Sequence, residues 1–151
     1  MKVLLQRVQK ASLSIEGSPH SKIGKGYLLL VGFEKGDDAG TLKKMASKIL
    51  KSRLFEDGNG KTNLSIFEVG GAILSVSQFT LAASLKEGNR PSFFSAMPPL
   101  EAKSLYALWN DTLKESGLEI ETGIFGADMQ IELINDGPFT IIFDSKELFG
   151  E

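Results

Sequence analysis

The sequence predicts an α+β domain with about six strands and two helices. Short apolar runs, one of them clearly alternating with polar residues, account for the strands, and two longer segments repeat their apolar residues every three or four positions, as helices do. No internal repeat, low-complexity tract or linker interrupts the 151 residues. We therefore expect residues 1–151 to form a single domain.

Composition narrows the class of protein. Hydrophobic residues make up 42% of the chain and charged residues 24%, as in an ordinary globular domain. The absence of cysteine excludes disulfides, thiolate zinc sites and cysteine nucleophiles. No apolar run is long enough for a membrane span or a signal peptide, so we expect a cytoplasmic protein without membrane contact. The formal net charge of −2 indicates that any nucleic-acid contact is local.

The first predicted strand runs from Lys2 to Ile15, with an interruption of its two-residue period near Arg7. Arg7 stands among apolar neighbours and allows two interpretations. It is either an edge-strand side chain that points to water, or a fork of donors that binds backbone carbonyls or a carboxylate inside a site. The sequence leaves both open.

A turn is predicted at Gly17-Ser18-Pro19, after the first strand. The only histidine, His20, falls in this turn region, where we expect a solvated loop residue and not a catalytic base. The continuous apolar run from Tyr27 to Phe33 then predicts a buried strand.

The first predicted helix begins after a cap at Asp37 or Asp38. Its apolar positions are Leu42, Met45, Ala46, Ile49, Leu50 and Leu54. Its other face carries four lysines, which are either merely solvated or meet phosphates. These lysines are Lys43, Lys44, Lys48 and Lys51.

The second predicted helix begins at Met97-Pro98-Pro99, because proline is well placed in a first helical turn, and it ends at Gly117. Its buried stripe consists of Leu105, Leu108, Trp109, Thr112 and Leu113. We expect this helix to be scaffold.

The apolar run from Ala72 to Leu81 predicts a strand with unusual polar residues at its end. The strand period would place Gln78 and Thr80 on one face and Ser77 and Phe79 on the other. The loop after it, from Ser84 to Phe94, contains Lys86, Arg90 and two phenylalanines. This mixture is typical of a surface that binds a single nucleic-acid strand, and equally of a loop that ends in core anchors.

Three further strands are predicted at the C-terminal end, over Glu119 to Gly123, Ala127 to Ile134 and Phe139 to Phe143. The last two flank Asn135-Asp136-Gly137-Pro138. Because proline removes a backbone donor and fixes φ, this stretch marks an edge, a tight turn or a cis bond. Local sequence favours a reverse turn that joins two strands.

The catalytic chemistry is narrowed by what the chain lacks. There is no histidine near Ser77 or Thr80, no Gly-x-Ser-x-Gly elbow, no phosphate-binding or dinucleotide glycine motif and no zinc-ligand pair. A serine or threonine nucleophile normally needs a base to take its proton. If there is a catalytic site, we expect it to use backbone donors, orientation and a reactive group brought by the substrate.

Taken together, the motifs resemble the D-aminoacyl-tRNA deacylase family, also called the D-tyrosyl-tRNA deacylase family. The resemblance runs essentially from end to end. It is carried by Gln6-Arg7-Val8, Gly24-Lys25-Gly26, Phe55-Glu56-Asp57, Ser77-Gln78-Phe79-Thr80, Arg90-Pro91-Ser92-Phe93, the stretch 123–129 and Asn135-Asp136-Gly137-Pro138-Phe139-Thr140.

The resemblance implies the fold of these deacylases, a β-barrel-like mixed sheet with two main helices, in a homodimer. It implies hydrolysis of D-aminoacyl-tRNA, and also of glycyl-tRNA, without a cofactor or metal. It implies that Gly137-Pro138 is cis and enters the partner's pocket to reject L-amino acids, tethered by Arg7. Alternatives from other classes are a non-catalytic RNA-binding module, a hydrolase of free D-aminoacyl esters and a purely structural interaction protein.

Roles of single residues also follow from the resemblance. The catalytic set would be Ser77, Gln78, Phe79 and Thr80, with main-chain N–H groups around Phe79 and Thr80 binding the oxyanion. Thr80 as a covalent nucleophile is the second choice. The substrate and tRNA-binding residues would be Asn135, Phe125, Met129, Arg90 and Lys86.

Overall fold

The chain folds into eight strands and three α-helices in a computed structural model that describes residues 1–151. The strands are β1 (Lys2–Ile15), β2 (Ser18–Ile23), β3 (Gly26–Gly32), β4 (Arg53–Glu56), β5 (Thr62–Ser65), β6 (Ala72–Ser77), β7 (Glu119–Thr122) and β8 (Met129–Asp144). The helices are α1 (Ala39–Lys51), α2 (Pro99–Lys114) and α3 (Ser145–Phe149), and a short 3-10 helix covers Phe79–Ala82. No helix combines the length and the apolar character needed to cross a membrane.

Six strands form one mixed sheet built around β1. This strand pairs antiparallel with β2, β3 and β8, and the sheet continues from β3 through β6 to β7 with parallel pairing. The sheet curls so that its end strands β2 and β7 come together. The Ser21 hydroxyl of β2 donates to the Thr122 carbonyl of β7 at 3.2 Å. Strands β4 and β5 form a separate hairpin. The predicted α+β class with a barrel-like mixed sheet and two main helices is confirmed.

The central strands β3 and β6 are mostly apolar because both of their faces are buried. On β3, Tyr27 and Leu29 belong to the core shared with α1 and α2, and Leu28 belongs to a second core on the other face. Strand β6 divides in the same way, with Ile73 in the first core and Leu74 in the second. The sheet is therefore fixed from both sides.

Helix α1 begins as predicted at Asp38, whose carboxylate accepts a hydrogen bond from the Thr41 N–H at 2.9 Å. This hydrogen bond is the main reason that the pKa of Asp38 is lowered. Leu42, Met45 and Ile49 are buried, whereas the lysines of the opposite face are exposed. The amphipathic interpretation is confirmed.

The predicted turn at Gly17-Ser18-Pro19 is misplaced. The turn lies at Glu16 and Gly17, both with positive φ, and β2 begins at Ser18, so His20 is an exposed strand residue. This strand was missed because five of its six residues lie outside the core and carry no apolar alternation. Pro19 is tolerated because β2 is the end strand of the pairing order.

The stretch from Asn135 to Thr140 is not a turn between two strands, because β8 continues through it. Val8 of β1 pairs with Asn135, and Gln6 pairs with Thr140. The four residues 136–139 therefore lie opposite the single residue Arg7. Such an excess on one strand forms a large bulge, on which Gly137 and Pro138 are exposed.

Candidate active site

A cavity of about 620 Å³ opens where β6 ends. Its walls come from the end of β6, from the segment that enters α2, and from the connection between β7 and β8. Five residues predicted from the sequence lie in these walls, namely Ser77, Gln78, Phe79, Phe125 and Met129. The cavity is thus a meeting point of three segments that are distant in sequence.

The end of β6 is held in place by β3. The Gln78 N–H donates to the Val31 carbonyl at 2.8 Å. The chain can come this close because residue 32 is glycine, since a Cβ at Gly32 would lie 2.8 Å from the Gln78 carbonyl oxygen. Beyond Gln78 the backbone leaves the sheet and forms the 3-10 helix. The predicted sharing of a strand face by Gln78 and Thr80 is therefore wrong.

The 3-10 helix presents free N–H groups at its start. The first N–H groups of a helical turn have no partner within it, and Gln78 provides no side-chain cap for them. These groups belong to Phe79 and Thr80. The Gln78 side-chain amide donates to the Thr80 hydroxyl, so it is occupied elsewhere. Phe79 lines the cavity, while Thr80 is exposed and outside the lining.

Aromatic rings form much of the cavity wall. Phe79 packs edge-on against Phe93, with 5.0 Å between the ring centroids. Phe125 lies 6.1 Å from the Tyr106 ring, and the Tyr106 hydroxyl donates to the Ser75 carbonyl at 2.8 Å. Burial raises the pKa of Tyr106, so this hydroxyl remains a neutral donor. The wall behind Phe125 is therefore anchored to β6.

Lys86 and Arg90 lie outside the cavity, on the exposed loop that follows the 3-10 helix. The base of this loop is closed by two backbone hydrogen bonds between Ser84 and Ser92, each 2.8 Å long. The two positive side chains thus lie on a surface that leads away from Phe93.

Arg7 organises a second cluster, at the bulge of β8. Its side chain is only 5% exposed, so the interpretation as an edge residue pointing to water is wrong. Its Nε donates to the Asp136 carbonyl at 3.1 Å and lies 3.3 Å from the Asp136 carboxylate. Its Nη1 donates to the Leu54 carbonyl at 2.6 Å. The fork therefore binds two backbone carbonyls and a carboxylate.

The bulge is closed by Asn135. Its side-chain oxygen accepts from the Phe139 N–H at 3.0 Å, and its side-chain amide donates to Gln6. The Gly137-Pro138 peptide between these points is cis, and both residues are exposed. Gly137 has φ +135°, and a Cβ there would lie 3.2 Å from Nη2 of Arg7. Only glycine fits this backbone without strain.

The predicted site residues thus fall into separate groups. The cavity group is Ser77, Gln78, Phe79, Phe125 and Met129, and the bulge group is Arg7, Asn135, Gly137 and Pro138. No bulge residue lines the cavity. Thr80, Lys86 and Arg90 belong to neither group. Reasoning from sequence missed the contribution of Met97, Pro98 and Pro99 to the cavity, because they were interpreted only as the start of a helix.

No cluster of three or more histidine, aspartate or glutamate side chains that could hold a metal ion is present. The polar residues that line the cavity are Ser77, Gln78 and Asp128, and the Gln78 amide is already bonded to the Thr80 hydroxyl. Phe79, another lining residue, has an N–H without a partner in the 3-10 helix. Such an arrangement can bind and orient a polar substrate and stabilise negative charge on an oxygen atom.

The model of the family described as D-Tyr-tRNA(Tyr) deacylase matches residues 4–144 of the chain. The chain belongs to this deacylase family. Among curated relatives, a D-aminoacyl-tRNA deacylase of Lactobacillus helveticus is 56% identical over 144 residues, which cover 95% of this chain and 99% of the relative. The enzyme of the same name from Thermomicrobium roseum is 51% identical over 150 residues, 99% of this chain and 97% of the relative. These findings confirm the resemblance.

Solved structures support the deacylase fold. The structure of a protein named c-Myc DNA Unwinding Element Binding Protein superposes with a TM-score of 0.90 at 40% sequence identity, covering 95% of this chain and 98% of the other. A probable eukaryotic D-amino acid tRNA deacylase superposes with a TM-score of 0.82 at 18% identity, covering 94% and 97%. The second likeness concerns the fold alone.

Proposed function

We propose that this protein is a D-aminoacyl-tRNA deacylase, formed by a single domain over residues 1–151 and acting in the cytoplasm. It hydrolyses the ester between a D-amino acid and the 3′-terminal adenosine of tRNA. The observation that supports the proposal is the cavity at the end of β6, one wall of which is formed by Ser77, Gln78 and Phe79. The chain that forms this cavity is 56% identical to a curated D-aminoacyl-tRNA deacylase. The products are a free D-amino acid and tRNA with its 3′-hydroxyl restored.

The free N–H groups at the start of the 3-10 helix would stabilise the transition state. Water attacks the ester carbonyl, and the carbonyl oxygen becomes an oxyanion that accepts hydrogen bonds from the N–H groups of Phe79 and Thr80. The bond from the acyl carbon to the ribose oxygen then breaks. The uncapped first turn supports this role, because it leaves both N–H groups unpaired and because Phe79 lines the cavity.

No histidine lines the cavity and its only carboxylate, Asp128, is exposed to water, so in this proposal the ribose 2′-hydroxyl of the substrate orients or activates the attacking water. Thr80 is the weaker candidate for a covalent nucleophile. Its hydroxyl accepts a hydrogen bond from the Gln78 amide, which is a donor and cannot take the threonine proton. A rate retained by a Thr80→Ala variant would exclude the nucleophilic role.

Selection against L-amino acids is assigned to Gly137 and Pro138 of a second copy of the chain. These two residues are exposed on the bulge and line no part of the cavity of their own chain. A homodimer in which the bulge of one protomer enters the cavity of its partner would bring the two groups together. The backbone of the bulge would then occupy the space of an L side chain, whatever its chemistry.

The same backbone wall would accept glycine, which has no side chain to exclude. Glycyl-tRNA is therefore included among the substrates, beside D-aminoacyl-tRNA. Arg7 would keep the wall rigid, since its fork binds the backbone at Asp136 and at Leu54. Rigidity matters because each tenfold of discrimination needs about 1.4 kcal/mol of differential binding.

A nucleic-acid-binding module without catalysis is the second candidate. It is favoured by the likeness to the c-Myc DNA Unwinding Element Binding Protein, which is 40% identical and whose name states that it binds a DNA unwinding element. The exposed lysines of α1 offer positive charge for such contact. Salt-dependent binding of nucleic acid without ester cleavage would identify this function.

The direct test is release of labelled amino acid from D-tyrosyl-tRNA by the purified protein, with and without a chelator. We expect release in both conditions. Binding of the tRNA without release would contradict the deacylase proposal and favour the binding module.

A further inference from the structure

Two consecutive phenylalanines at the end of the loop after the 3-10 helix have opposite surroundings. Phe93 lines the cavity and packs edge-on against Phe79. Phe94, the next residue, is 83% exposed. The contact with Phe79 therefore accounts for the position of the Phe93 ring, whereas no such contact accounts for the exposed Phe94 ring. A large apolar ring is held in water next to the proposed active site.

Lys35 lies against this exposed ring. Its Nζ is 3.9 Å from the centroid of the Phe94 ring, within the range of a cation–π contact. The backbone supports the contact, because the Lys35 N–H donates to the Ser95 carbonyl at 3.0 Å. The ring and the charge are thus held together as one unit.

An exposed aromatic face beside a positive charge matches the chemistry of a single nucleic-acid strand. Bases stack on aromatic rings, and lysine neutralises the adjacent phosphate. Lys86 and Arg90 are also exposed, on the loop that ends at Phe94. A lysine on one face of the Phe94 ring leaves the other face for a base.

We propose that Phe94 and Lys35 bind the nucleotide that precedes the terminal adenosine in the single-stranded 3′ end of the tRNA. Its base stacks on Phe94, and a phosphate lies close to Lys35. The inference rests on the proposed function, in which the cavity holds the aminoacylated adenosine. Phe94 would then contact the preceding nucleotide, because it follows Phe93 in the chain and lies outside the cavity that Phe93 lines.

The test compares two substrates, D-tyrosyl-tRNA and D-tyrosyl-adenosine, which lacks the preceding nucleotide. We expect Phe94→Ala to lower kcat/KM about tenfold for the tRNA, as for the loss of one base stack, and to leave the adenosine ester unchanged. A Phe94→Trp variant should retain the activity of the wild type on both. For Lys35→Gln, the slope of log K for tRNA binding against log salt concentration should become shallower by about 0.7, the amount expected when one phosphate contact is lost.

The matched control is Phe67→Ala, at a half-exposed phenylalanine between β5 and β6 that does not line the cavity. It should affect the two substrates equally. An equal loss on both substrates in Phe94→Ala would overturn the inference, because Phe94 would then only shape the cavity. No loss on either would overturn it as well.

Failure of the proposed function gives a different result, namely that the wild type cleaves neither substrate. In that case, the affinity of the same variants for uncharged tRNA tests whether Phe94 contacts the tRNA. A loss of about tenfold in affinity for Phe94→Ala, against none for Phe67→Ala, would support the docking surface. Unchanged affinity would overturn it.

Discussion

The guanidinium of Arg7 lies 4.5 Å from the centroid of the Phe139 ring, while its Nε donates to the Asp136 carbonyl. Asp136 and Phe139 flank the Gly137-Pro138 pair. One buried side chain of β1 therefore holds both ends of the exposed part of the bulge. If the bulge selects substrates, its precision depends on this arginine.

Arg7→Lys should lower selectivity more than it lowers the rate with D-substrates. Lysine keeps the charge and lacks the fork, so at least one of the two carbonyl hydrogen bonds is lost. We expect the free energy of unfolding to fall by about 1.5–3 kcal/mol, the range for a hydrogen bond to a charged group. Urea unfolding and the ratio of D-tyrosyl-tRNA to L-tyrosyl-tRNA cleavage measure the two effects. Arg53→Lys, at an exposed arginine of β4, is the control and should change neither.

Gly137→Ala should be destabilising although the position is exposed. The new Cβ would lie 3.1 Å from the Phe139 nitrogen, at a φ of +135° that side chains rarely adopt. A cost of about 1–3 kcal/mol is expected for this conformation. Gly58→Ala, where a Cβ meets nothing within 4 Å and φ is ordinary, should be nearly neutral. Equal melting temperatures for the two variants would contradict the described strain at the bulge.

Stability should fall above pH 10 because of the two tyrosines. Burial raises the pKa of Tyr27 and Tyr106 in the folded protein. Above the ordinary tyrosine pKa of about 10, the unfolded chain loses these protons while the folded chain keeps them. The free energy of unfolding then decreases by at most about 1.4 kcal/mol per pH unit for each tyrosine, until the pH reaches the folded-state pKa of that tyrosine. Tyr106→Phe should make this slope shallower in urea titrations, and an unchanged slope would contradict the assignment.

Neutralising Lys86 and Arg90 together should weaken tRNA binding chiefly at low salt. If each side chain contacts one phosphate, the slope of log K against log salt becomes shallower by about 1.4–1.8. Lys10→Gln with Lys22→Gln removes the same charge from exposed positions of β1 and β2 and serves as the control. Identical slopes for the two double variants would remove the loop from the tRNA-binding surface.

Much of the fold was predictable because the spacing of apolar residues in the sequence matches the buried positions of the strands and helices. Strand β1 has the predicted bounds, and α1 buries Leu42, Met45 and Ile49 as its spacing indicates. Strand β2 was not predictable in this way, since little of it is buried. The end of β6 was also misjudged, because nothing in the residue pattern signals the change from strand to 3-10 helix at Gln78.

The bulge marks the limit of local reasoning. The residues Asn135, Asp136, Gly137 and Pro138 suit a reverse turn and a large bulge equally well. The bulge is distinguished from a turn only by the pairing with β1, in which Gln6 pairs with Thr140 and Val8 pairs with Asn135. Such long-range register cannot be inferred from the composition of one segment. The contributions of Phe125 and Met129 to the cavity followed from family resemblance alone.

The most direct measurement is hydrolysis of matched D-tyrosyl-, L-tyrosyl- and glycyl-tRNA by the wild type and by Pro138→Ala, with a chelator arm. We predict rapid cleavage of the D and glycyl esters, sparing of the L ester, no effect of the chelator, and loss of selectivity in the variant. Equal cleavage of D and L esters by the wild type would contradict selection by the bulge. Binding of tRNA without any cleavage would contradict the deacylase function itself.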